Sequence, residues 1–105
     1  MAIERVVRDF QITKRDTPDE KWQFNFSVKG CSFAQRDNEW LATLDEFKRE
    51  IPLEQRSPIY KDGRFSHWEV KASDRNAARL TQLFDNFEMC LFAARAQMVM
   101  FEEVE

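Results

Sequence analysis

His67 is the one histidine of this chain, and with Cys31, Cys90 and a few paired acids it is where chemistry would have to start. An imidazole works as a general base only when a carboxylate orients it and a nucleophile lies within reach. No motif around Ser66-His67-Trp68 names either partner, and strand alternation turns His67 towards solvent. One histidine and two distant cysteines cannot close a tetrahedral zinc site. Gly30 and Gly63 are too far apart to form a loop that cradles phosphate. Asp45–Glu46 and Glu102–Glu103 are adjacent, not three or four apart on a helix, so they read as solvated surface. The expectation is a protein that is not an enzyme, with no metal and no cofactor. Cys31 and Cys90 sit in apolar surroundings with no cation immediately beside them, and both are expected to be reduced and unreactive.

Binding is the other kind of chemistry open to such a chain. The net charge of −3 is unevenly spread: residues 48–79 hold 8 basic and 5 acidic side chains, whereas residues 80–105 hold 1 and 5. A nucleic-acid reading therefore falls on the middle third, with contacts at Lys48, Arg49, Arg56, Tyr60, Lys61, Arg64, Phe65 and His67 and further cations at Lys71, Arg75 and Arg79. In a hairpin around Asp62-Gly63, Lys61 and Arg64 would hold a phosphate and Phe65 and His67 would lie along the same ribbon. The overall acidity disfavours non-specific attraction to duplex DNA and leaves single-stranded or branched DNA or RNA as the target class.

The elements that must carry these residues can be read in order. Ile3 to Ile12 is rich in β-branched and aromatic residues but changes parity, which predicts a strand with a bulge near Val6–Arg8. Arg15 to Glu20, with Pro18 inside, reads as a hairpin loop. Trp22, Phe24, Phe26 and Val28 alternate with polar residues, the signature of a half-buried strand whose aromatic face packs under a helix. Beyond Gly30, Cys31 and Phe33 resume the alternation on the other parity, through a bulge or a third strand. Asp37 or Asn38 caps a helix with the apolar stripe Trp40, Leu41, Leu44, Phe47 and Ile51, and Pro52 stops it. A hairpin follows, from Ile59–Tyr60 through Asp62-Gly63 to a return strand ending at Lys71, with Trp68 and Val70 facing in. Ser73 or Asp74 then caps the final helix.

That last helix dominates the pattern. Leu80, Phe84, Phe87, Leu91, Ala94, Met98 and Phe101 recur at alternating steps of four and three, which keeps one helix face on a partner. Met89, Phe92, Val99 and Met100 add apolar surface on other sides, more than a domain of 105 residues can enclose by itself. The reading is an α+β domain: an antiparallel sheet of four to five strands, one short helix and one long C-terminal helix. Its expected role is a non-catalytic interaction module, a homodimer or higher oligomer, with another protein as the alternative partner, that makes its contact through Phe87, Leu91, Phe92, Met98, Val99 and Phe101. No apolar run is long enough to span a bilayer, and the first residues lack signal-peptide features, so a single cytoplasmic domain is expected.

Residues 44–87 carry Phe47-Lys48-x-x-Ile51-Pro52, then Arg56, a short strand with Tyr60, and Trp68-x-Val70 before a helix with Leu80 and Leu83. This segment resembles the helix–hairpin–helix unit of HARP-type domains of annealing helicases, which recurs in small bacterial proteins of unassigned role. The resemblance implies binding of branched or single-stranded DNA through Arg56, Tyr60 and Trp68. The sequence departs from that pattern where Pro58-Ile59-Tyr60 replaces the first tryptophan, and in its acidic final helix.

Overall fold

The computed structural model describes residues 5–17, 20–28 and 38–102, and within them the side chains of 5–15, 22–28 and 43–97. Among the described residues four strands, β1 (Val7–Thr17), β2 (Glu20–Val28), β3 (Arg56–Lys61) and β4 (Arg64–Lys71), form one antiparallel sheet in the order β1-β2-β4-β3. Three α-helices accompany it among the described residues: α1 (Asn38–Glu50), α2 (Asp74–Leu83) and α3 (Phe87–Glu102). The fold is α+β, as its alternating and helical periodicities require.

Strand β2 organises the interior. Phe24, Phe26 and Val28 are buried on one face, and Phe26 meets Phe84 and Phe87 with edge-on rings at 5.6 and 6.1 Å. Aromatic quadrupoles favour such edge-to-face contacts over flat sandwiches. Helix α1 reaches the same core through Phe47, whose ring centroid lies 4.8 Å from that of Trp68. All three helices pack on this one face, through Phe47, Leu80, Leu83, Phe87 and Leu91. The aromatic strand is thus filled by helix, as its alternation predicts.

The β1 bulge lies slightly later than expected. The register runs Arg8↔Ser27 and then Gln11↔Asn25, one extra residue on β1, and Asp9 takes a left-handed φ of 49°. Aspartate tolerates that region better than most residues. The bulge moves Phe10 and Ile12 onto the same face as Val7, against the core. The following hairpin is tighter than a loop over 15–20, because Thr17 pairs with Glu20. The expected features at Cys31 and Phe33 and the cap at Asp37 lie outside the described residues. Pro52 ends α1 as expected, and Arg56 Nε donates to Ile51 O at 2.8 Å, satisfying a carbonyl the helix leaves unpaired.

Asp62 and Gly63 both have positive φ, 54° and 77°, the two-residue turn that matches strand twist. Another bulge lies at Ser66, since Ile59 pairs with His67 but Tyr60 pairs with Phe65. It puts Phe65 on the helix side with Trp68, ring centroids 5.5 Å apart, and leaves His67 on the opposite face. The expectation that Phe65 and His67 share a face is corrected: strict alternation fails at one inserted residue.

The single long helix expected after Ser73 is two helices. Ser73 caps α2 as predicted, its hydroxyl accepting from Asn76 N at 3.1 Å. The chain then leaves the helix at Phe84, which is extended, and restarts at Phe87. Asn86 accounts for the break. Its Oδ1 accepts from Val7 N at 2.8 Å, and its Nδ2 donates to Val7 O at 2.9 Å. The side-chain amide thereby pairs with a strand residue as another peptide would. Asparagine competes in this way with its own helix. The apolar stripe survives the break, because Leu80, Phe84, Phe87 and Leu91 are all buried.

Replacing Asn86 by Ala would orphan both polar groups of buried Val7. The expected loss is about 2–4 kcal/mol of unfolding free energy, measured by urea denaturation.

Candidate functional site: the outward stripe of the last helix

Helix α3 has two apolar sides. Phe87 is buried, 4.9 Å from the ring of Phe10 and 5.6 Å from that of Phe24, and Leu91 is buried one turn on. Cys90 and Ala94 complete this inward side and are half-buried. Met89 and Phe92 stand three residues apart on the other side, 77% and 78% exposed. Ala93 and Ala96 are exposed beside them. At 3.6 residues per turn, 89, 92, 93 and 96 make one continuous strip about two turns long. Glu88 and Arg95, both exposed, edge it along one flank.

The structure divides the expected oligomer contacts. Phe87 and Leu91 belong to the monomer's own core, a correction with a simple cause: periodicity says which residues share a face, not which face the sheet takes. Phe92 is at the surface as expected. The side chains of Met98, Val99 and Phe101 lie outside the described residues. Met89, Ala93 and Ala96 are the additions, and the signal for them was their offset from the buried pair at 87 and 91.

The basic residues of the middle third are spread over both faces of the sheet. Lys48 and Arg49 close the last turn of α1, Arg75 and Arg79 stand on α2, and Arg56 is tied to Ile51 on the helix side of β3. Lys61 and Arg64 face each other across the Asp62-Gly63 turn and are exposed. By alternation these two share the face of His67, away from the helices. Tyr60 is 63% exposed on the helix side, 6.2 Å from the half-buried ring of Phe65. The hairpin tip therefore offers cations on one face and an aromatic ring on the other.

His67 does have neighbours that the sequence did not name. Its Nδ1 lies 2.9 Å from Ser66 Oγ, brought round by the bulge, and its Nε2 lies 3.8 Å from Glu69 Oε2. The second distance is too long for a hydrogen bond that would orient the ring. Glu69 Oε2 instead accepts from Gln23 Nε2 at 2.9 Å, and Glu69 Oε1 is 3.5 Å from Arg15 Nη2. Gln23 and Asn25 in turn both donate to Thr13 Oγ1. A chain of polar side chains thus crosses three strands on the face away from the helices, and the His67 trio is one end of it.

A cavity of about 150 Å³ opens between Ile12, Trp22, Phe24, Ala72, Ser73, Asp74 and Arg95. Its walls are mostly apolar, and its one ion pair, Arg95 to Asp74 at 3.4 Å, is solvent-exposed. No cluster of acidic, histidine or cysteine side chains that could hold a metal occurs among the described residues, and none of their helices is long and apolar enough to cross a membrane. No family model, curated protein or solved structure matches the chain.

The polar chain makes a separable prediction. Glu69→Ala removes the shorter of the two bonds made by the buried Gln23 amide, leaving only the 3.4 Å contact to Thr13 Oγ1, and should cost about 1–3 kcal/mol in urea denaturation. His67→Ala should change stability by less than about 1 kcal/mol, because its nearest carboxylate lies beyond bonding distance.

Proposed function

We propose that the protein is a non-catalytic interaction module that associates with a second copy of itself through α3. The observation that carries this is the exposure of Met89 and Phe92 on a helix whose opposite side already fills the core. Large apolar side chains scattered singly over a surface need no explanation, but these two are neighbours on one strip and are continued by Ala93 and Ala96. The small alanines let another helix approach closely. A second copy offers the same strip, so one two-fold axis covers both. The wild-type protein should sediment as a dimer at micromolar concentration. Met89→Glu combined with Phe92→Glu places charge in that contact and should weaken association about a hundredfold or more while leaving the circular dichroism spectrum unchanged. A monomeric wild type at that concentration ends this reading.

A second reading, binding of single-stranded or branched nucleic acid, draws on exposed Tyr60 at the hairpin tip, with Lys61 and Arg64 exposed on the other face of the same tip. The likeness of residues 44–87 to HARP-type units belongs with it. A stacked base would be worth about 1–3 kcal/mol at such a ring. No binding to duplex DNA is expected at physiological salt, and weak, salt-dependent binding to a labelled single strand should vanish in Lys61→Ala with Arg64→Ala. Tight duplex binding by the wild type, or single-strand binding untouched by the double substitution, would overturn this assignment.

A further inference from the structure

We infer that the two copies of α3 pair antiparallel, with Glu88 of each copy facing Arg95 of the other. This arrangement rests on the self-association proposed above and adds its direction and register. Met89, Phe92 and Ala96 follow one another at steps of three and four, the spacing of a helix–helix seam. None of them is charged, and neither is Ala93. Glu88 and Arg95 are seven residues apart, so they lie on the same flank of that seam, and both are exposed. Arg95 is the only basic residue of α3.

Direction follows from the charges. In a parallel pair each flank meets the opposite flank of the other copy, and Glu88 would face the side that carries Ala93. In an antiparallel pair each flank meets its own counterpart running the other way. Residue 88 then comes opposite residue 95, and the two-fold forms this opposite-charge contact twice. The same register sets Met89 of one copy against Phe92 of the other, so the largest exposed side chains close on each other near the axis. Arg95 can serve such a contact. Its partner within the chain, Asp74, is fully exposed, and their 3.4 Å contact takes up one of five guanidinium donors.

Charge reversal tests the arrangement by sedimentation or light scattering. Glu88→Arg creates two Arg–Arg contacts and Arg95→Glu two Glu–Glu contacts, and each should weaken the homodimer about tenfold. Mixing the two variants in equal amounts restores opposite charges at both contacts, so a heterodimer of wild-type affinity should form. Glu88→Gln, which keeps the side chain's shape, should weaken association by a smaller factor, about threefold. Recovery on mixing establishes the pairing and shows that both variants are folded. A wild-type dimer untouched by either reversal, or variants weakened singly and not rescued by mixing, would overturn the antiparallel register and leave association through α3 standing. A dimer that survives Met89→Glu with Phe92→Glu would instead remove α3 as the surface.

Discussion

The double hydrogen bond between the Asn86 side chain and the backbone of Val7 is the constraint on which the rest of this fold depends. Val7 opens the edge strand of the sheet and is itself buried, so its N–H and C=O must find partners inside the protein. Asn86 supplies both from the point where one helix ends and the next begins. Asp85 N adds a bond to Arg5 O at 2.7 Å, and Arg5 reaches on to Glu46 of α1 at 2.6 Å. One short connector is thus bonded to the first strand, and that strand's approach is bonded to the first helix. The turn at Phe84–Asn86 also sets the angle at which α3 leaves α2, and hence which side of α3 meets the sheet.

That angle decides what is core and what is surface. With Phe87 lodged between Phe10, Phe24 and Phe26, the helix cannot rotate to bury Phe92 without expelling a ring that the interior is built around. Leaving the hole of such a ring unfilled is costly in a well-packed interior. The exposed strip is therefore a fixed feature of the monomer, not a loosely held alternative. A second fixed point works at the other end of α2. The Asn76 side chain, almost wholly buried, donates to Lys71 O and to Gln55 Oε1. It joins the end of β4 to the turn after α1.

What could be read in advance was whatever local chemistry decides. The alternation of β2, the Asp62-Gly63 turn, the Pro52 stop and the Ser73 cap each depend on a few adjacent residues, and each is present in the structure. The break at Asn86 was hidden because the apolar steps run unbroken from Leu80 to Leu91, and its cause lies at the far end of the chain. The Ser66 bulge was hidden for a related reason: nothing local distinguishes an inserted residue from an alternating one. That single insertion separates Phe65 from His67 and so divides a binding ribbon that strict alternation would have built. The spacing of Phe87 and Leu91 places them on one face, whereas the sheet's claim on that face depends on contacts with Phe10 and Phe24 far away in the chain.

The pairing of residue 7 with residue 86 also has a meaning in time. A chain made from its N-terminus presents β1 long before its bonding partner exists. Until Asn86 and Phe87 have been synthesised, β1 and β2 hold an aromatic face with no α3 to cover it. A nascent hairpin of this kind is a target for chaperones and a hazard for premature pairing with other chains. The sheet is thus begun early and sealed last. The residues that seal it stand immediately before the strip through which the finished protein is proposed to meet its second copy.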